Sequence, residues 1–257
     1  MITADMVRDL IVSQDAGRPR SQQKTLGPSN LSTPCARKIG YQVLDVPPVT
    51  PSTVNLAAWV GTGIHEQMEL ACAAENKRAK AKVWETEIRC QIPIKPPIQC
   101  HVDAYYHPTY TALDWKSVGP SALQKYRRQT PDNYATQIDL YGLALVLSGY
   151  RVDTVGICYI PRNGDLSDIH VTTWPWTGER ADAAIKRYEQ ILAATGAGAA
   201  VLPLLPTAGD CRFCRWWNPG VAWTDPTGVT AGCPGHPETT ANQAEEPNPT
   251  QPERNPT

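Results

Sequence analysis

Two short β-type runs, each carrying an acid, constrain the fold of this chain most tightly. In residues 98–106 the apolar side chains Ile98, Cys100 and Val102 alternate up to Asp103, and residues 111–116 close on Asp114-Trp115-Lys116. Alternation at period two marks a half-buried strand. Runs this close in sequence pair as a hairpin. Both acids then converge on one end of a sheet, with Lys116 beside them and the Trp115 carbonyl as a further oxygen. Asp-x-Lys is a common tripeptide, and alone it fits hairpin-end acids beside a solvated lysine equally well.

The remaining periodicities build a layered domain around that hairpin. Residues 1–14 read as a short helix, and residues 15–30, polar and rich in breakers, as a linker. A helix is expected from Ser32, with Pro34 in its first turn, to about Val43. A longer one fits 53–80, where Ala57, Val60, Ile64, Met68 and Ala71 recur at helical spacing. Strands are expected at 83–92, 98–106, 111–116, 152–160 and 168–174. Helices are expected at 120–128, at 132–148 (stopped by Gly149) and at 178–195 (stopped by Gly196). That order implies an α/β (α+β) layer, a central mixed sheet flanked by helices. Four segments follow: a helix and flexible linker over 1–30, a core over 31–202, a cysteine-rich segment over 203–236, and a tail over 237–257 with too few apolar side chains to order itself.

Composition narrows the class. The 257 residues carry 24 Lys and Arg against 25 Asp and Glu, a formal net charge of −1, so no global basic field advertises nucleic acid. The start lacks the apolar stretch of a signal peptide, and no run is long enough to span a membrane. The expectation is a soluble cytoplasmic protein with no membrane partner, in the host cytoplasm if phage-encoded. Eight cysteines in that compartment read as thiols or metal ligands rather than disulfides.

Two paired carboxylates and a lysine suit phosphodiester hydrolysis. Hard oxygens hold a divalent cation, and the cation near the water or phosphate offsets developing charge. Other residues join only by context. Gly61 and His65 share a helix face, and a neutral imidazole can join carboxylates on a transition metal such as Mn, although a lone helical histidine also fits a packed or surface position. Gln137 and Tyr141 lie four apart on the 132–148 helix, which equally describes an amphipathic edge. Lys125, Arg127 and Arg128 follow the second acidic strand with no intervening acid. They can track a phosphate backbone or form an ordinary solvated face.

Taken together these residues resemble the RecB-like branch of the PD-(D/E)XK nuclease superfamily. Its ordered motifs are G-x-x-x-H, a strand acid, D/E-x-K and Q-x-x-x-Y, matched here by Gly61 and His65, Asp103, Asp114 with Lys116, and Gln137 with Tyr141. The glycine the family places three residues before the first acid is Cys100 here. The resemblance covers roughly residues 29–236. It implies a restriction-endonuclease-like fold and a Mg- or Mn-dependent deoxyribonuclease acting as an exonuclease on single-stranded DNA or DNA ends. It further implies His65, Asp103, Asp114 and the Trp115 carbonyl as metal ligands, Lys116 as the catalytic cation, and Gln137 and Tyr141 along the DNA path. No G-x-x-x-x-G-K-[ST] motif is present, which suggests a stand-alone enzyme or one that borrows a recombination or helicase partner.

Cys211 and Cys214 form a C-x-x-C, Cys233 follows in Cys-Pro-Gly-His, and Cys35 stands far upstream. One cysteine before the nuclease motifs and three after them resembles the iron–sulfur members of the family, CRISPR-associated exonucleases and phage homologues among them. That resemblance implies a 4Fe-4S cluster on Cys35, Cys211, Cys214 and Cys233, clasping the C-terminal segment, although the gap before Cys233 is longer than the family pattern. The alternative is zinc on Cys211, Cys214, Cys233 and His236. With it goes a second function, a non-catalytic zinc-containing DNA-binding or adaptor protein that keeps the fold. The complete Asp103, Asp114, Lys116 set favours the enzyme.

Overall fold

The computed structural model describes residues 2–16, 26–50, 56–208, 211–221 and 232–236. The expected tail over 237–257 and most of the expected linker lie outside them. The chain divides into two compact units: residues 1–33 with 53–190, and residues 34–52 with 191–257.

In the first unit, five strands form one mixed sheet in the order β1 (Trp84–Ile92), β2 (Ile98–Tyr106), β3 (Thr111–Val118), β4 (Thr154–Pro161) and β5 (His170–Pro175). Only β3 and β4 are parallel. A parallel pair needs a crossover, which the helices Pro120–Tyr126 and Asp132–Leu147 provide between them. Helices therefore run α1 (Ala4–Ala16), α2 (Pro28–Leu31), α3 (Ala36–Val43), α4 (Leu56–Ala79), α5 (Pro120–Tyr126), α6 (Asp132–Leu147) and α7 (Glu179–Thr195). This is the expected α/β layer with a restriction-endonuclease-like mixed sheet.

Burial follows the sheet order. Interior strand β4 is buried at Val155, Ile157, Cys158 and Tyr159, whereas edge strand β5 alternates between half-buried and exposed residues, as expected for strands covered on two faces and on one. Helix α6 buries Ala135, Ile138, Leu140, Tyr141, Ala144 and Leu145 and ends at Ser148, where Gly149 takes φ +89°. That left-handed turn suits a residue without Cβ. Helix α4 packs on β1 and β3. Its inward stripe differs from the expected one by a residue: Cys72 is buried with Trp115, Leu113, Ala104 and Cys158, while Ala71 faces outward.

Helix α3 also starts later than the Ser32–Pro34 signal predicts. Ser32 closes α2, and Cys35 is the N-cap of α3, its sulfur accepting the Lys38 N–H at 3.4 Å. Cysteine is a weak cap by propensity, but its sulfur fills the role that a serine oxygen usually has.

The turn from α4 into β1 is held by one side chain. Asn76 Oδ1 accepts the N–H groups of Val83 and Trp84 at 2.8 Å each, and its Nδ2 donates to the Trp84 carbonyl at 2.7 Å. Asn76→Ala strands the Trp84 N–H and carbonyl, while the Val83 N–H keeps its bond to the Ala81 carbonyl, and is expected to lower stability by about 2–3 kcal/mol, read by urea unfolding. Asn76→Asp, which keeps both accepted bonds, should recover most of the loss.

Candidate active site

The acids gather where β2 and β3 part. Their ladder runs from Tyr106↔Thr111 to Ala104↔Leu113. Beyond it the Asp103 carboxylate takes the place of a backbone partner, Oδ2 accepting the Trp115 N–H at 2.8 Å. The gap opened in the sheet exposes the Trp115 carbonyl edge to His65 of α4, whose Nε2 lies 3.0 Å from that oxygen and whose Nδ1 lies 3.7 Å from Asp103 Oδ1. Gly61, one turn before His65, sits against Ser117, with room for a Cβ at 3.6 Å.

On β3, Asp114 points into a second group of side chains. It is 1% exposed, and Lys116 Nζ lies 2.7 Å from its Oδ2. Gln137 of α6 ties the pair together. Its Nε2 donates to Asp114 Oδ1 at 3.2 Å and to the Tyr141 hydroxyl at 3.0 Å, while its Oε1 accepts from Lys116 at 3.1 Å. Lys116 also lies over the Tyr134 ring, 4.9 Å from its centroid. Burial pushes the Tyr134 hydroxyl well above its ordinary pKa, with Tyr126 and the Asp114 charge adding to the shift. The ring forms a wall beside the lysine.

The structure thus brings together His65, Asp103, Asp114, Trp115, Lys116, Gln137 and Tyr141, all seven of the residues expected at the centre. Tyr141 is 3% exposed, so it supports Gln137 from behind. Of the expected phosphate-tracking residues, Lys125 and Arg128 are exposed, while Arg127 donates to the Asp168 carbonyl at 2.9 Å and pairs with its carboxylate at 3.3 Å. Local sequence gives no warning of that pair, which spans 41 residues.

One acid was not anticipated. Among the described residues, the one group of three metal-type side chains with ligand atoms within 4.8 Å of one another is His65, Asp103 and Glu87 of β1. The β1–β2 register, with Thr86 opposite Ala104 and Ile88 opposite Val102, places Glu87 opposite Asp103, a pairing that no local sequence pattern announces. The donor set fits a hard divalent cation: carboxylates and a carbonyl with one imidazole. Neighbouring ligands on an ion with bonds of about 2.1 Å stand about 3 Å apart, which is the His65–Trp115 spacing. Glu69, one turn beyond His65 on α4, has its carboxyl pushed above the usual range by desolvation first, then by the charges of Glu87 and Glu66.

The second unit holds the four expected cysteines. All are free thiols, Cys211 and Cys233 buried and Cys35 and Cys214 half-buried. Backbone N–H groups donate to three sulfurs: Lys38 to Cys35 at 3.4 Å, His236 to Cys211 at 3.1 Å and Gly235 to Cys233 at 3.4 Å. The buried Arg37 guanidinium adds a contact to Cys233 at 3.5 Å while it donates to the Leu202 and Pro203 carbonyls. Burial raises the Cys214 thiol; a backbone hydrogen bond from Trp216 and then the Lys38 charge lower it, and nearby Cys35 and Cys233 raise it further. Gly235, at φ +99°, brings the chain over Cys211, where a Cβ would meet the sulfur at 3.5 Å and the Trp217 ring at 2.7 Å. Such N–H···S contacts favour thiolate over thiol and are a tuning feature of sulfur-ligated clusters.

No family model matches the chain, and no curated protein matches it. Among solved structures, SSO0001 is similar at 12% identity with a TM-score of 0.52, covering 84% of this chain and 95% of that one. An alkaline exonuclease (LHK-Exo) from Laribacter hongkongensis reaches 11% identity and a TM-score of 0.48, over 68% of this chain and 89% of that one. A phage related exonuclease from Haemophilus somnus 129PT reaches 14% and 0.42, over 66% and 95%. The first of these shows a shared fold and nothing further.

Proposed function

We propose that the chain is a metal-dependent DNA exonuclease of the RecB-like PD-(D/E)XK type. The observation that supports this most is a pair of hydrogen-bonded sets meeting on consecutive residues of β3: His65, Asp103 and the Trp115 backbone in one, and Asp114, Lys116 and Gln137 in the other. A core built for stability alone has little use for two nearly buried carboxylates beside a lysine, since such pairs add little net stability.

His65, Asp103, Asp114 and the Trp115 carbonyl would hold Mg or Mn. When bound, the ion lowers the pKa of water and screens the phosphate. Lys116 supplies a compact positive charge where the phosphate gains negative charge. Gln137 fixes the Lys116 ammonium and the Asp114 carboxylate in one geometry, and buried Tyr141 fixes Gln137. Exposed Lys125 and Arg128, beyond β3, are placed to meet a DNA backbone.

The second unit would carry a 4Fe-4S cluster on Cys35, Cys211, Cys214 and Cys233. The N–H donors to three of the sulfurs support that reading. The zinc alternative needs Cys211, Cys214, Cys233 and His236 around one ion, with bonds of about 2.0–2.3 Å. No helix of the described residues is long and apolar enough to cross a membrane. DNA ends, single strands, and a place in recombination, repair or phage DNA metabolism complete the proposal. The test is an end-labelled single strand with the purified protein. Mn should shorten it and chelator should stop the shortening, whereas a strand left at full length in Mn counts against the reading.

A further inference from the structure

Glu87 occupies a position that strand pairing alone does not explain. Along β1 and β2 the register runs Trp84↔Tyr106, Glu85↔Tyr105 and Thr86↔Ala104, then resumes at Ile88↔Val102. The missing step is Glu87 opposite Asp103. Glu87 has φ +50°, the left-handed region, inside an otherwise extended strand. A side chain with a Cβ is disfavoured there, and such outliers persist where surrounding structure holds them, often at functional sites. Directly opposed residues of an antiparallel pair share a sheet face, so the Glu87 and Asp103 carboxylates are neighbours. Two acids so placed repel one another, and nothing in sheet formation rewards the arrangement.

A cation between them does. Ligand atoms of Glu87, Asp103 and His65 all lie within 4.8 Å of one another, and ligands across one ion with bonds of about 2.1–2.5 Å stand about 4–5 Å apart. Asp114, by contrast, is already engaged by Lys116 and Gln137. The side of the centre facing α4 and β1 holds anionic donors, and the lysine sits on the other side.

We propose that Glu87 is a direct ligand of the divalent ion, joining His65, Asp103, Asp114 and the Trp115 carbonyl, so that three strands and one helix hold the metal. This rests on the proposed metal site and extends it by a residue outside the four sequence motifs. A third carboxylate raises the negative charge at the ion and tightens its binding. It also closes the β1 side of the centre, leaving the side that faces Lys116 for the phosphate.

The experiment is calorimetric titration of Mn into the metal-free full chain, comparing wild type with Glu87→Gln, Asp103→Asn and Glu66→Gln. Glu66 is an exposed acid adjoining His65, and its variant controls for loss of local charge alone. Loss of a ligand should weaken Mn binding at least as much as loss of an outer partner, so about 10-fold or more for Glu87→Gln. Glu66→Gln should bind like wild type. Circular dichroism should show Glu87→Gln folded, with a metal-free melting temperature equal to or above that of wild type because the repulsion with Asp103 is gone. Wild-type affinity in Glu87→Gln, with Asp103→Asn impaired, overturns the assignment of Glu87 and leaves the metal site standing. Equal weakening by Glu87→Gln and Glu66→Gln also overturns it, since charge alone would then explain the effect. A wild-type protein that binds no Mn overturns both.

Discussion

Lys116→Ala should lower DNA hydrolysis by roughly 10²–10⁴-fold, the usual loss when a positioned acid–base or charge-stabilising group is removed. The structure adds a second effect. Lys116 is the cation against Asp114, whose side chain is 2% exposed. Removing one partner of a buried pair leaves the other charge uncompensated. Metal-free Lys116→Ala is therefore expected to lose roughly 1–3 kcal/mol, less than a fully buried pair because 18% of the lysine side chain reaches solvent. Asp114→Asn should be equally inactive and lose less stability, because 18% of the Lys116 side chain reaches solvent and the amide oxygen can still accept from the Gln137 amide. Melting curves alongside single-turnover cleavage separate the two effects. Near wild-type cleavage by folded Lys116→Ala would remove the lysine from the chemistry.

Cys35→Ala is expected to have an equally large effect on the second unit. If Cys35 is a cluster ligand, it joins α3 to a segment more than 170 residues later, so its loss should unfold local structure as well as release metal. The variant should lose visible absorption and iron and give poorly soluble protein, while His236→Ala keeps both colour and iron. In the zinc alternative the pattern inverts: Cys35→Ala keeps its metal and His236→Ala loses it. Iron, sulfide and zinc analysis after anaerobic purification reads both. A colourless wild type with one zinc per chain, unchanged by Cys35→Ala, contradicts the cluster assignment. Cys35 also caps α3, and loss of a cap alone costs about 1 kcal/mol, too little to abolish solubility or iron.

Much of this was legible in the sequence because local periodicity and tertiary burial agree. The strand and helix patterns around Asp103, Asp114 and Gln137 each match an observed element, and burial of Ile138, Leu140, Ala144 and Leu145 on α6 follows from their apolar side chains. The misses share a physical cause. Glu87 reads as an ordinary solvent-facing strand residue, and only its left-handed backbone and its place opposite Asp103 single it out. The pairing of Arg127 with Asp168 and the burial of Tyr141 depend on chain segments remote in sequence. The start of α3 was misplaced because Ser32 and Pro34 carry the usual capping signals, while the sulfur that does cap the helix belongs to a residue rarely used for it. The inward stripe of α4 slid from Ala71 to Cys72 because nearly equal apolar residues sit on adjacent positions, and the sheet beneath decides between them.

We propose that this chain hydrolyses DNA from an end with a metal held by its strand acids. The most direct test is one single-stranded DNA presented to the full protein as a linear strand and as a closed circle, in Mn and in chelator. The account predicts that the linear strand is degraded in Mn, the circle survives, and both survive in chelator. A linear strand that stays intact in Mn, or one degraded equally well in chelator, would contradict it.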